Sequence, residues 1–583
     1  MTRLSFYPLL FILILSMVYS CSDTEPVADK PFEIKVHLLS DPDMLHPISN
    51  QGAGSNAIKK NIFQSLTDID FQTLELTPIL AESLPDVELF TTDNQEERMR
   101  ITYTLREEAQ WDNGSNITAD DVLFSFKFAI CPLVNNRHRR GVLEKIIDIE
   151  TDDNDPLKIT FITERYIKSE FTTGAEIPII PQYLYDSEQV LNNYAYSELM
   201  ENQNLEEDEA IIAFAKEAND EKWQRDPEFI SGSGAYKLKE WKSGQQVLLE
   251  KKNDWWGNAL KDENHFFEAY PNTIRYRVIN DMTATTAALK SQEIDVMYGL
   301  KARDFVELRE KESFTRNFHT FTPPTPTYSF ILFNTSQPIL QDKHTRQALA
   351  HLMDVNAVIE RNNYGLAQRI VGTVLPTDTL NYNHDLTPYP FDPNTAKELL
   401  EKAGWSDADG DGTLDKMIDG ELVDFEVNFY YNSGNEERKA VALMLQEEAR
   451  KVGITIHVIP QEWSTYISKQ RNHEFDIAYG SWIMDYAPLD VHQIFHSEAI
   501  KGGFNFAAWD HAEADSLIET IQITIDDQAR APLYHRLQEI IHEEAPYIFM
   551  HSPLNRIVVN KEFKNAEISV VHPGYWEAGF KLN

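Results

Sequence analysis

The chain is poor in positive charge and nearly free of cysteine. Across 583 residues, 53 Lys and Arg stand against 93 Asp and Glu, a formal net charge of −40. A surface of that sign repels nucleic-acid phosphates and anionic lipid headgroups, which argues against nucleic acid as a partner. The two cysteines, Cys21 and Cys131, sit in very different contexts, so no internal disulfide is expected. Catalytic signatures are missing too: there is no H-E-x-x-H, G-x-S-x-G, Walker loop, G-x-G-x-x-G or paired-cysteine metal motif, and an enzyme reading loses ground. The 17 histidines are scattered; His535 and His542 lie a heptad apart on a helical segment but lack a third ligand. No repeat of 20 to 50 residues is visible, so a solenoid or propeller is not indicated.

Long apolar runs are confined to the N-terminus. After Met-Thr-Arg, Leu4 to Tyr19 is almost continuously apolar, the pattern of an export signal. Pro8 and the short length weigh against a membrane-crossing helix, which needs about 20 apolar residues. The run ends at Val18-Tyr19-Ser20-Cys21, which resembles a bacterial lipobox with Cys21 as the lipidated residue, although Tyr19 is bulkier than usual for its position. Residues 1–20 are thus expected to be a lipoprotein signal and 21–31 a lipidated polar tether. Cys131 is left as a small buried hydrophobe.

What is present suits folded cores: 42% hydrophobic and 11% aromatic residues, in a chain long enough for several domains. Periodicity alternates between two and 3.6. Asp392-Pro393 starts a helix whose apolar face is Leu399, Leu400 and Ala403 and which stops at Gly404. Phe425, Val427 and Phe429 mark a strand, Glu437–Val452 a helix, and Ile454, Ile456 and Val458 a second strand: a β-α-β unit whose crossover predicts parallel pairing. Trp463–Gln470 reads as a helix and Phe475–Tyr479 as a strand, so Gly480–Tyr486 becomes a loop where ligands of α/β sheets collect. Residues 187–226, rich in Glu, Asn and Asp, read as an exposed helical excursion.

Two acidic features stand out. Asp485, between Trp482 and Tyr486, suits pairing with a ligand ammonium, with the aromatic rings covering apolar parts of the ligand; an N-cap or surface aspartate is the competing reading. Asp407, Asp409, Asp411 and Asp415 alternate around turn glycines, the pattern that wraps a hard cation such as calcium. Position twelve of such a loop is Ile418 rather than a bidentate glutamate, and a solvated Asp/Gly turn is the competing reading. No cofactor is required.

Several segments resemble the large substrate-binding proteins of ABC importers in the dipeptide, oligopeptide and nickel-binding family (solute-binding protein family 5). Leu80-Ala-Glu-Ser-Leu84 is similar to its L-A-E-S-W segment. Tyr103-Thr-Leu-Arg106, Trp111-Asp-Asn-Gly114 and Thr118-Ala-Asp-Asp-Val122 resemble its L-R-x-G-V-x-F-x-D-G-x-P-x-T-A-D-D-V signature. Gly232-Ser-Gly-Ala-Tyr236, Phe333-Asn334, Arg346-Gln-Ala348 with Asp354, and Ala403-Gly-Trp405 with the Asp/Gly turn follow its later blocks. That turn recurs in relatives without implying metal.

The resemblance implies an α/β, two-lobed periplasmic-binding-protein-like fold with a hinge and an extra subdomain inserted in lobe one. The expected layout is lobe one at 32–70 and 226–318, the inserted subdomain at 71–225, lobe two at 319–545, and a return to lobe one at 546–583. It also implies that Trp482-Ile-Met-Asp485-Tyr486 is the family's W-x-x-D-Y segment, whose aspartate holds a peptide α-ammonium in peptide binders; the chain then departs from D-Y-x-D-P, reading Tyr486-Ala-Pro488-Leu-Asp490. Tyr328 and Tyr547, near the expected crossings, would lie by the cleft floor as packing or contact residues. For the carboxylate end of a peptide, Arg137, Arg139, Arg140 and Arg369 are basic enough but read as surface charges. The implied role is a monomeric, non-enzymatic receptor delivering a short peptide to a membrane permease. Alternatives are an oligosaccharide or metal-chelate receptor, a sensor uncoupled from transport, or a secreted hydrolase.

Overall fold

The computed structural model describes residues 32–49 and 52–583. The export signal, the tether and Cys21 lie outside the described residues. No helix among the described residues is long and apolar enough to cross a membrane.

Two mixed sheets organise the chain. In the seven-stranded first sheet, Glu33–Leu38 lies between Val296–Met297 and Thr273–Val278, parallel to both. Gln246–Lys251 and Tyr236–Lys242 extend one side, Ile557–Asn560 and Phe318–Phe321 the other. Period-two alternation buries Ile34, Val36, Ile274, Tyr276, Val247 and Leu249 in one core. The six-stranded second sheet runs Ala367–Arg369, Tyr547–Pro553, Thr327–Phe333, Ile477–Ile483, Glu426–Asn432, Thr455–Gln461. Cores lie on both of its faces: along Thr327–Phe333, Ile331 and Phe333 enter one, while Tyr328, Phe330 and Leu332 enter the other.

The β-α-β unit forms as expected. Glu426–Asn432 and Thr455–Gln461 pair in parallel around the helix Glu436–Arg450. Asn435 caps this helix by accepting from the Arg438 N–H at 3.0 Å, and Gly453, at φ +84°, turns the chain back. The earlier helix spans Pro393–Lys402, with Asp392 accepting from the Asn394 and Thr395 N–H groups.

A four-stranded antiparallel sheet, Asp86–Thr91, Glu97–Thr104, Asp155–Glu164, Ile146–Asp152, forms the inserted subdomain with its helices. Residues 187–226 are helical but are no excursion: Leu191, Tyr196, Leu199, Ile211, Phe214 and Trp223 close the subdomain's core. Their charges occupy the outer faces, which hid the inner stripe in the composition. Cys131 is buried there, and burial pushes its thiol up to about 12.

Three expected borders move. The one at residue 70 cuts the hairpin Thr67–Ile69/Leu76–Pro78. Phe318–Phe321 is a strand of the first sheet, so the outgoing crossing follows Phe321 rather than residue 318. Tyr547–Pro553 is an interior strand of the second sheet, so the return follows Pro553 rather than residue 545. The two crossings run side by side. Pro324 bridges Leu554 in antiparallel register, the Asn555 N–H donates to the Pro323 carbonyl at 2.8 Å, and Thr325 Oγ1 donates to the Pro553 carbonyl at 2.7 Å.

Candidate functional site

The strand Ile477–Ile483 ends beside the hinge. Gly480 lets it pass under an aromatic ring, since a Cβ there would lie 2.3 Å from Phe330 Cζ. Trp482 follows, half-buried against Phe330, Phe504 and Phe506 with centroids 5.9 to 6.1 Å away. Neither its Nε1–H nor the Tyr547 hydroxyl meets a well-formed hydrogen bond among the described residues. The Met484 N–H donates to the Pro326 carbonyl at 2.6 Å, fixing the loop to the outgoing crossing.

Asp485 projects into the space between the lobes, its side chain 66% exposed, and accepts from Lys168 Nζ at 2.7 Å. Lys168 belongs to the inserted subdomain, where it precedes the helix Ser169–Gly174. Two more bonds join the same surfaces: Tyr166 Oη donates to Asp490 Oδ2 at 2.8 Å, and the Ile167 N–H donates to the Gln522 carbonyl at 2.9 Å. Asp490 therefore has a partner across the cleft where the family's D-Y-x-D-P pattern is broken.

Tyr486 closes the other flank. Its hydroxyl donates to the Val570 carbonyl at 2.8 Å and accepts from the His572 N–H at 3.0 Å. Burial pushes its phenol up to about 12 and pushes the His572 imidazole down to about 4. Tyr328 and Tyr547 do not reach the cleft. Tyr328 is fully buried, its hydroxyl 2.9 Å from Thr373 Oγ1. Tyr547 starts the strand that leads to the return crossing, about 20 Å away along the chain, and stacks on Phe330 at 4.3 Å. For Tyr547 the displaced return border explains the difference; Tyr328, although next to the outgoing crossing, turns into the core of the second sheet.

Facing Asp485 is a buried charge cluster. Arg139, 8% exposed, pairs with Glu176 and donates to the carbonyls of Glu176 at 3.2 Å and Ile48 at 3.0 Å. Lys59 Nζ donates to the Ser49 carbonyl at 2.7 Å; burial first, then Arg139, push its ammonium down to about 7. Burial raises the Glu176 carboxyl despite Arg139, and the Asp485 carboxylate adds to the rise. Arg139 is thus no surface charge. Nor is Arg140, which donates to the carbonyls of Ile130 and Leu199 at 2.6 and 2.9 Å, or Arg369, which donates to the Tyr389 carbonyl at 2.6 Å. The side chain of Arg137 lies outside those described. Each arginine meets a carbonyl from a distant segment, a partner that no local pattern displays.

Two sheets joined by paired crossings, with the Asp485–Lys168 ion pair spanning the space between them, make up a two-lobed protein. The sequence model described as "Bacterial extracellular solute-binding proteins, family 5 Middle" matches residues 75–497, and the chain belongs to that family. It is 26% identical over 568 residues to the oligopeptide-binding protein AppA of Bacillus subtilis, covering 95% of this chain and 92% of that protein. The structure of AppA in complex with a nonapeptide matches at TM-score 0.66 and 24% identity, covering 95% of this chain and all of that one. NikA from Brucella suis in complex with Fe(III)-EDTA matches at TM-score 0.71 and 21% identity, over 94% of this chain and all of that one.

Proposed function

We propose that this protein is a lipid-anchored, monomeric receptor that captures short peptides between its lobes and hands them to an ABC permease, without chemistry of its own. One observation carries the reading: the exposed Asp485 carboxylate already holds an ammonium, that of Lys168, at 2.7 Å. A peptide α-ammonium offers the same charge and donors. The match to an oligopeptide-binding relative along nearly the whole chain supports peptide over other solutes. Binding to one lobe and closure by the other shifts an open–closed equilibrium toward the form that the permease meets. Cys21, behind the polar segment 22–31, is the attachment point for lipid.

Native mass spectrometry of residues 22–583, purified without unfolding, is expected to show a ladder of two- to six-residue peptides. Calorimetry with a free and an N-acetylated copy of one bound peptide then tests the ammonium, and the acetylated copy is expected to bind at least tenfold more weakly. A single sugar or metal-chelate mass would overturn the peptide reading while leaving a receptor. Peptide cleavage during incubation would overturn the non-enzymatic one.

A further inference from the structure

The acidic turn at Asp407–Asp415 lies outside the cleft machinery. Its chain follows the helix Pro393–Lys402 and runs into the hairpin Asp415–Ile418/Glu421–Asp424. One carboxylate oxygen from each of Asp407, Asp409 and Asp415 lies within 4.8 Å of the other two. Oxygens around a calcium ion, each at about 2.3 to 2.6 Å from it, span that distance. No Lys or Arg forms an ion pair with these residues among those described. Asp424 stands opposite Asp415 in the hairpin register, where like charges oppose pairing.

The second observation is Asp415 itself. The residue is 2% exposed, its Oδ2 accepts from the Ala408 N–H at 2.9 Å, and its Oδ1 is buried with no hydrogen-bond partner. A buried carboxylate oxygen without a donor is costly unless a cation meets it. The turn is also preorganised: Asp407 accepts from the N–H groups of Gly410 at 2.7 Å and Gly412 at 3.1 Å, which curls the loop around the convergent oxygens.

We propose that Asp407, Asp409 and Asp415 hold a divalent cation, Ca²⁺ by the chemistry of an all-oxygen set. Asp411 is not among the convergent oxygens, and Ile418 lies in the hairpin strand, so the site is not an EF-hand and water completes its shell. The ion ties the turn to the core of lobe two. Leu414 donates its N–H to the Gly453 carbonyl at 2.7 Å and accepts from the Phe425 N–H at 2.6 Å, and Phe425 stacks on buried Trp405 at 4.4 Å. Three carboxylates and water place the affinity among extracellular modules, with Kd about 10⁻⁴ to 10⁻³ M.

The test uses the full soluble chain, stripped with EDTA and titrated with CaCl₂. The unfolding midpoint of the wild type is expected to rise by about 2 to 4 °C at about 10 mM CaCl₂. Asp407→Asn with Asp409→Asn keeps oxygens that accept from the turn's N–H groups but removes charge; its midpoint without calcium is expected to stay near that of wild type, and the calcium shift to vanish. Glu421→Gln, on the same hairpin but outside the set, is expected to keep the shift. An unchanged wild-type midpoint overturns the proposal. So does an equal calcium response in the double variant.

Discussion

The two sides of the cleft hold their charges in opposite ways. On lobe two, Asp485 stands 66% exposed with one ion-pair partner among the described residues, a lysine from the inserted subdomain. Across from it, Arg139 pairs with Glu176 and donates to the carbonyls of Glu176 and Ile48, while Lys59 donates to the Ser49 carbonyl, all with little exposure. A charge meant to exchange partners must be cheap to release. One that shapes a wall is costly to disturb, because removing a partner strands the other in low dielectric. On the proposed function, the difference separates the recognition group from the frame that faces it.

The strongest way to break this contrast is on the buried side. Arg139→Ala leaves Glu176 without its counter-ion and is expected to destabilise the protein by about 3 to 5 kcal/mol in denaturant unfolding. Acid tests the same side. Burial holds His46 down at about 3 and both His265 and His572 at about 4, against about 6.5 when unfolded. Between pH 6.5 and 4 the unfolded chain therefore binds protons that the folded one refuses, so stability falls as pH falls through that window. Calorimetric midpoints at pH 7, 5.5 and 4 should drop in that order, with a shallower fall in His46→Gln. A flat profile would remove the claim that these groups fold neutral.

On the exposed side the expected order of effects reverses. Asp485→Ala should move the unfolding free energy by less than about 1 kcal/mol but weaken peptide binding by about 2 kcal/mol, about thirtyfold in Kd. Unchanged affinity in calorimetry would return Asp485 to an ordinary surface acid. Lys168→Ala gives the smallest change. Removing the resident ammonium costs little stability and should tighten peptide binding up to about fivefold, since Lys168 competes for the same oxygen. Weaker binding would make Lys168 a ligand contact instead of a competitor.

Local periodicity made the second lobe readable. The β-α-β unit at 425–458 needs only neighbours to declare itself, and its parallel pairing follows from the crossover. The borders near 318 and 545 were not readable, because strand order is fixed by partners far along the chain. Asp485 came from position and resemblance, whereas Lys168 lies 317 residues away from it and carries no motif. The family's most specific signature has a structural explanation. Asp121 Oδ2 accepts from the Thr118 N–H and from Trp111 Nε1, each at 3.1 Å, and its Oδ1 accepts from the Gln182 N–H at 3.1 Å, so this pattern pins the start of the helix Ala119–Ile130 rather than touching the cleft. Likewise Arg346 of the R-Q-A block is buried and donates to the carbonyls of Leu340 and Glu544.

The Met484 N–H to Pro326 carbonyl bond places the segment carrying Asp485 beside the axis about which the lobes would rotate. Points near an axis hardly travel when a body turns, whereas points far from it sweep long arcs. Asp485, next to that bond, would therefore be carried only a short way by such a rotation. Lys168 Nζ, 2.7 Å from Asp485, lies almost as near that axis and would travel almost as little. The contact that joins the two bodies here would thus part by a short displacement, while the rim of the cleft farthest from the crossings would open the most.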